Sequence, residues 1–240
     1  MGEEVAPGPD AGRGAGRRED RGVPVAGGGG GPIDPEAGAL SPAEAEACRA
    51  AFRSILRGRA PGPAELARAT GLPERTVREA VAGLARSGRA VVDAAGRVVG
   101  SAGLSLVPSP HRLLLGGEAF HTWCAVDAVG IPAALRADAV GIPAALRADA
   151  VARTACPTCG RAIEVRFREG RSSGGQGLRA WLPTRGCCTS LVDELCPDMN
   201  LFCSEEHLEE WRRGRGDPPG LALTLEEAEE LGWRWWGDLA

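Results

Sequence analysis

Glycine and proline crowd the start of the chain: twelve of its 35 glycines and five of its 18 prolines fall within residues 1–40, including the unbroken run Gly27 to Gly31. Such a segment has too little apolar surface to offset the entropy of ordering it. Residues 1–40 therefore read as a disordered tail, and folding is confined to 41–240. That length suits one or two domains with a core that needs no disulfide staples. The opening Met1-Gly2-Glu3-Glu4 is acidic and lacks an apolar signal region, and no stretch reaches the roughly 18 apolar residues of a membrane span. A cytoplasmic, reducing setting with no membrane partner is expected, in which eight cysteines point to metal or thiol chemistry rather than to disulfides. With 28 basic against 32 acidic side chains, the overall field does not select nucleic acid.

From Ser41 onward the local signals describe an α+β protein: a three-helix winged-helix-like domain over 41–110, then a small mixed β-sheet domain with flanking helices over 111–240. Ser41-Pro42-Ala43-Glu44 is a capping box with proline at the first helical position. Ala45, Cys48, Phe52, Ile55 and Leu56 recur on one face, and Gly58 stops the run. Further helices fit Pro63 to Thr70, closed by Gly71, and Pro73 to Ser87, closed by Gly88. A hairpin then pairs 89–93 with 97–101 across Ala94-Ala95-Gly96. In the second segment Leu113 to Leu115 is apolar, and 119–129 reads as helical. Ile163, Val165 and Phe167 alternate as in a half-buried strand, with 179–182 expected to pair with it across the glycine-rich turn 170–177. Ser204 caps a helix to Arg213, and Thr224 opens another. Trp233, Trp235 and Trp236 are expected to pack on the sheet.

Asp127 to Ala137 is repeated letter for letter by Asp138 to Ala148. Solenoids need three or more units, so one perfect copy reads as a tandem duplication. The first copy starts beside a chemical pair: Cys124 and Asp127, at i and i+3, place a thiol and a carboxylate one helical turn apart.

The phrase His121-Thr122-Trp123-Cys124-Ala125-Val126-Asp127, followed by Pro132 and later by Leu195-Cys196, Leu201-Phe202-Cys203-Ser204 and Trp211, resembles the organomercurial (alkylmercury) lyases. The likeness runs from about Ser41 to Gly232. It implies that Cys124, Asp127 and Cys196 form the active site, and that Cys203 is not the second active cysteine. The separation of Asp127 from Cys156 is 29 residues, and it falls to 18 when one 11-residue copy is removed, the spacing expected in the family. The implied reaction is protonolysis of a carbon–mercury bond to give R–H and Hg(II). Mercury is soft and prefers thiolates, so two cysteines hold it while the aspartate carries the proton to carbon. No cofactor is required; low-molecular-weight thiols release the Hg(II), with mercuric reductase as a candidate acceptor.

Two other readings stand beside this one. Residues 41–100 carry ten Arg against six acids, with Arg75 and Arg78 early in the third helix, which suits a mercury-responsive DNA-binding regulator. A thiol metal-binding protein without turnover would keep the cysteines and not need Asp127. The lyase resemblance leads us to expect no specific DNA complex. Among the remaining cysteines, Cys156-Pro157-Thr158-Cys159-Gly160 has the shape of a zinc knuckle but lacks a second Cys-x-x-Cys. Cys187-Cys188 are adjacent, a poor arrangement for one tetrahedral ion. Structural zinc on Cys156 and Cys159 is therefore the lesser expectation, Cys48 is assigned to the core, His207 to the surface, and His121 either to packing or to the pocket.

The duplication yields the first prediction. Proline at 132 and 143 opposes a continued helix, so the extra copy is expected to leave the frame as a surface excursion, and each doubling of loop length costs only about 0.6 kcal/mol. Deleting 138–148 is expected to preserve or raise both the thermal midpoint and turnover, with Asp127 remaining the acid. A deletion that unfolds, or an Asp138→Asn variant that is inactive on its own, would show that the second copy has taken over the site.

Overall fold

The computed structural model describes residues 40–135, 149–184, 189–237 and 239. The tail, the second repeat copy with Asp138, and the Cys187-Cys188 pair lie outside the described residues. Helix α1 (Pro42–Ile55) starts at the Ser41 capping box, α2 (Pro63–Thr70) ends at left-handed Gly71, and α3 (Glu74–Arg86) is followed by Gly88 at φ +65°. Ala47, Cys48, Phe52 and Ile55 of α1 are buried together with Leu66 of α2 and Val77, Val81 and Leu84 of α3. The hairpin of β1 (Ala90–Val92) and β2 (Val98–Ser101) follows as expected.

That hairpin is one end of an eight-stranded antiparallel sheet that runs through residue 110 into the second segment. Strands β3 (Leu104–Ser105), β4 (His111–Leu115), β5 (Glu118–Thr122), β6 (Asp149–Ala155), β7 (Ala162–Arg168) and β8 (Arg171–Ser173) complete it in the order β1-β2-β3-β5-β4-β6-β7-β8. Strand β7 alternates as its sequence requires, with Ile163, Val165 and Phe167 buried and the charged residues between them exposed. Two expectations are corrected here. Residues 119–129 are not one helix: 118–122 form β5 against β4, and α4 (Ala125–Ala134) begins only after Cys124. Nor does 179–182 pair with β7. Glu169 (φ +50°) and Gly170 (φ +74°) form a two-residue turn that returns the chain as β8. Strand β9 (Arg179–Pro183) instead sits between β10 (Leu201–Phe202) and β11 (Gly220–Thr224) in a separate three-stranded antiparallel sheet.

All ten residues of α4 are buried. The helix packs against β4–β8 of the large sheet, β9 of the small one, and the C-terminal helix. Two more helices follow β10: α5 (Glu205–Gly214), capped by Ser204, and α6 (Leu225–Trp236), opened by the Thr224 capping box. Pro132 does not end α4 but sits within its last turn, where it has no N–H to offer the Ala128 carbonyl, and the helix stops two residues later. No helix among the described residues is long and apolar enough to cross a membrane.

The crossing of α4 and α6 explains the small residues after Asp127. A Cβ on Gly232 would stand 2.6 Å from the carbonyl oxygen of Gly130, and one on Gly130 would run into the Trp236 ring. Trp236 packs on α4, and its indole N–H donates at 2.6 Å to Ala102 O, in the turn between β2 and β3 of the large sheet. Helix propensity alone would make Gly232→Ala stabilising by about 1 kcal/mol, but overpacking a closed interface costs about 1–3 kcal/mol, and the backbone cannot give way as a side chain can. Gly232→Ala is expected to lower the denaturant midpoint. A midpoint at or above that of the parent would mean that the two helices do not cross in contact.

Candidate active site

The first turn of α4 is built as a capping box in which cysteine takes the place usual for serine. Cys124 has extended backbone (φ −142°, ψ 173°), and its sulfur accepts the Asp127 N–H at 3.3 Å. Asp127 Oδ2 accepts the Cys124 N–H at 3.1 Å. The i, i+3 pair predicted from sequence is thus real, but it is a cap and its third residue rather than two positions within a helix. Thr122, fully buried at the end of β5, donates its hydroxyl to Cys124 O at 2.8 Å and fixes the approach to the cap.

Cys196 reaches the same point from the other side of the chain. It begins a short 3₁₀ turn (Cys196–Asp198) after a π-helical turn (Leu191–Leu195). The next residue, Met199, donates its N–H to Cys196 O at 3.1 Å and accepts the Ala125 N–H at 3.1 Å. A backbone hydrogen bond thereby fastens the Cys196 turn to the N-terminus of α4. Buried Asp198 pairs with Arg215 at 2.6 Å, and the Arg215 guanidinium stacks 4.6 Å from the Trp211 ring centroid. The ligand atoms of Cys124, Asp127 and Cys196 all lie within 4.8 Å of one another, and all three residues are buried.

Burial dominates the electrostatics. It pushes the Cys124 thiol well above its ordinary value, with the Cys196 hydrogen bond and the Asp127 charge acting in the same direction. It raises Asp127 to about 6, against the opposing hydrogen bonds from the Cys124 side chain and the N–H groups of Cys124 and Trp123. The site therefore rests with a protonated thiol beside a carboxyl that changes charge close to neutrality, a pairing suited to passing one proton to and fro.

Sequence reasoning missed Gly103. It has φ +87°, accepts the Trp123 N–H at 3.0 Å, and lies against Asp127, so that a Cβ there would come within 2.6 Å of the carboxyl carbon. Only a glycine adopts that backbone freely and leaves the carboxyl room. The one available signal was a glycine in a turn between short strands. His121 is not in the group; its Nδ1 accepts the Ser109 N–H at 2.9 Å and anchors the loop before β4. Arg75 and Arg78 of α3 pair with Glu79 and Glu74 on their own helix, which neutralises in place the cationic face that a DNA-binding reading calls on.

A second group lies apart from the first. Cys156 and Cys159, in the turn between β6 and β7, are joined by Cys203 and by His207 of α5, with ligand atoms again within 4.8 Å of one another. Cys203 Sγ lies 3.6 Å from Cys159 Sγ and 2.9 Å from His207 Nδ1, and Cys156 Sγ is 3.9 Å from that nitrogen. The expectation that His207 is a surface residue is corrected: it faces this cluster. Cys203 lies in this group and not beside Cys124.

The family model described as alkylmercury lyase matches residues 104–140 and 136–237. The two stretches overlap within the duplicated region, as they would if one copy were extra to the family frame. The alkylmercury lyase of Bacillus cereus is 27% identical over 187 residues, which are 75% of this chain and 78% of that protein. The alkylmercury lyase of Staphylococcus epidermidis is 29% identical over 187 residues, covering 75% of this chain and 79% of that one. The solved mercury-bound form of MerB2 superposes with a TM-score of 0.73 at 26% identity, covering 83% of this chain and 92% of that one.

The raised carboxyl pKa has a consequence for stability. A folded pKa of about 6 against an ordinary 3.8 means that the native state holds the proton more tightly than the unfolded chain does. Asp127 thus contributes stability that is full below pH 3.8 and is lost as pH rises through 6. Two pKa units correspond to about 3 kcal/mol. Asp127→Asn, which cannot ionise, is expected to match the parent near pH 4 and to exceed it by up to about 3 kcal/mol at pH 8, read as the difference between denaturant melts. A difference that does not change with pH would show that the carboxyl is not buried uncharged.

Proposed function

The chain belongs to the alkylmercury lyase family, and on that premise we propose that it cleaves R–Hg compounds by protonolysis at Cys124, Asp127 and Cys196. The observation that carries this reading is the convergence of two buried thiols and one buried carboxyl within 4.8 Å. Mercury is the substrate metal here, and two soft thiolates hold it where oxygen ligands would not.

In the first step one thiol replaces the leaving ligand on mercury. The S–Hg bond forms, and the thiol proton passes to the Asp127 carboxylate. The second thiol then binds mercury and loses its proton to solvent with the displaced ligand. Two thiolate donors weaken the carbon–mercury bond. Asp127 delivers its proton to carbon, the electron pair of the broken C–Hg bond becomes the new C–H bond, and R–H departs. Hg(II) stays on the two sulfurs until two external thiols exchange onto it and return protons to Cys124 and Cys196. This chemistry calls on no resident cofactor. A cytoplasmic setting, where small thiols are plentiful and reduced, suits the release step, and a mercuric reductase would be a fitting acceptor of the ion.

The test is release of benzene from phenylmercury, or methane from methylmercury, in excess thiol. Cys124→Ser and Cys196→Ser are expected to abolish turnover and to weaken Hg(II) retention. Asp127→Asn is expected to retain Hg(II) while kcat falls by about 10²–10⁴, the usual range for a lost general acid. Full turnover in Asp127→Asn would remove the carboxyl from the mechanism, and full turnover in Cys196→Ser would remove the second thiolate.

A further inference from the structure

We propose that Cys156, Cys159, Cys203 and His207 form a tetrahedral structural zinc site, separate from the mercury-handling group. The proposal does not rest on the lyase reading. Three sulfurs and one imidazole nitrogen make a complete donor set, with no position left over for a substrate, which is the arrangement of structural rather than catalytic zinc. With Zn–S of about 2.3 Å and Zn–N of about 2.0–2.1 Å, tetrahedral edges fall at about 3.6–3.8 Å. The observed 3.6 Å between the Cys159 and Cys203 sulfurs and 3.9 Å between Cys156 Sγ and His207 Nδ1 lie close to those edges. Cys203 and His207 stand at 2.9 Å, the separation of a shared proton, and that proton is what a metal ion displaces.

The surrounding backbone is arranged for thiolates. Cys156-Pro157-Thr158-Cys159-Gly160 folds as a tight knuckle, with the Gly160 N–H on Cys156 O at 2.8 Å and Gly160 at φ +71°. Thr158 Oγ1 donates to His207 O at 2.7 Å and ties the knuckle to the helix. Three thiolates with Zn²⁺ carry a net negative charge, placed at the N-terminal end of the ten-residue helix α5, where the helix dipole favours it. The sequence showed only half of this site. Its second pair is Cys203-x-x-x-His207, which lies 44 residues beyond Cys159 and mixes ligand types.

An ion here would staple the β6–β7 turn of the large sheet to the segment joining β10 and α5. The test is elemental analysis of the full chain purified without chelator, with cobalt substitution as a spectroscopic check. About one zinc per chain is expected, falling roughly tenfold in Cys159→Ser and in His207→Ala but retained in Cys124→Ser. The cobalt form should show the strong visible bands of a tetrahedral thiolate site, and a strong chelator should lower the thermal midpoint of the parent. Cys159 is exposed, so its serine variant tests the ligand without opening the core. Three results would overturn the proposal: a chain purified free of zinc whose midpoint does not respond to added zinc, a metal lost equally in Cys124→Ser, or zinc stoichiometrically displaced by mercury during one turnover of phenylmercury. The last would make the cluster a mercury relay. Because zinc content is read without assaying turnover, an inactive chain could still carry the site.

Discussion

A helix buried from end to end cannot leave its first N–H groups to water, and that requirement organises the whole candidate site. Helix α4 has ten residues, none exposed, so its N-terminal donors must find partners within the protein. The Asp127 N–H finds the Cys124 sulfur, the Cys124 N–H finds the Asp127 carboxylate, and the Ala125 N–H finds Met199 O. The first two bonds place a thiol against a carboxyl. The third draws in the turn that carries Cys196. Capping the helix and assembling the thiol–carboxyl group are therefore one act of satisfaction rather than two separate achievements of the fold.

The same burial sets the chemistry. At an exposed helix N-terminus an aspartate would be held ionised by the dipole and by its capping bonds. Here desolvation outweighs them and lifts Asp127 to about 6. Since burial raises the Cys124 thiol as well, the group holds at most the single charge of the Asp127 carboxylate, which a proton removes close to neutrality. Holding the thiol protonated limits the cost of enclosing the group. The cost it does bear is spread over the packing of α4 between two sheets and α6, where Gly130 and Gly232 allow contact of backbone on backbone.

What could be read from the sequence follows the range of each signal. Ser41, Gly71, Gly88 and Thr224 mark helix ends through bonds that span a few residues, and the structure has helix ends there. The alternation of Ile163, Val165 and Phe167 was equally local and equally legible. Residues 119–129 misled because the small apolar residues after Cys124 are buried on every side, which erases the period there, and the strand before them is only five residues long. The partner of β9 was lost because a positive-φ pair at Glu169-Gly170 turned the chain back sooner than the glycines at 174 and 175 suggested. The motif named the three residues whose side chains the structure brings together, whereas nothing local pointed to Gly103. Its role depends on a carboxyl 24 residues away in the chain that no local pattern connects to it.

Cys196 and Cys203 lie seven residues apart, yet they join different groups, and β10 is the reason. Leu201 and Phe202 are buried and paired with Ala180 and Arg179 of β9, and Phe202 meets the Trp211 ring edge-on at 5.4 Å. A strand pinned in this way is a rigid spacer, so neither cysteine can swing over to replace the other. Donor number then separates the two chemistries. Two thiols and a carboxyl would leave mercury under-coordinated and able to exchange ligands, as the proposed turnover requires. Three thiols and an imidazole close a tetrahedron, which suits an ion that stays. If zinc occupies the second group, it fixes Cys203 at one end of β10, while the Met199 to Ala125 bond fixes the turn of Cys196 at the other. The second active thiol would then be held from both sides by elements that take no part in the reaction.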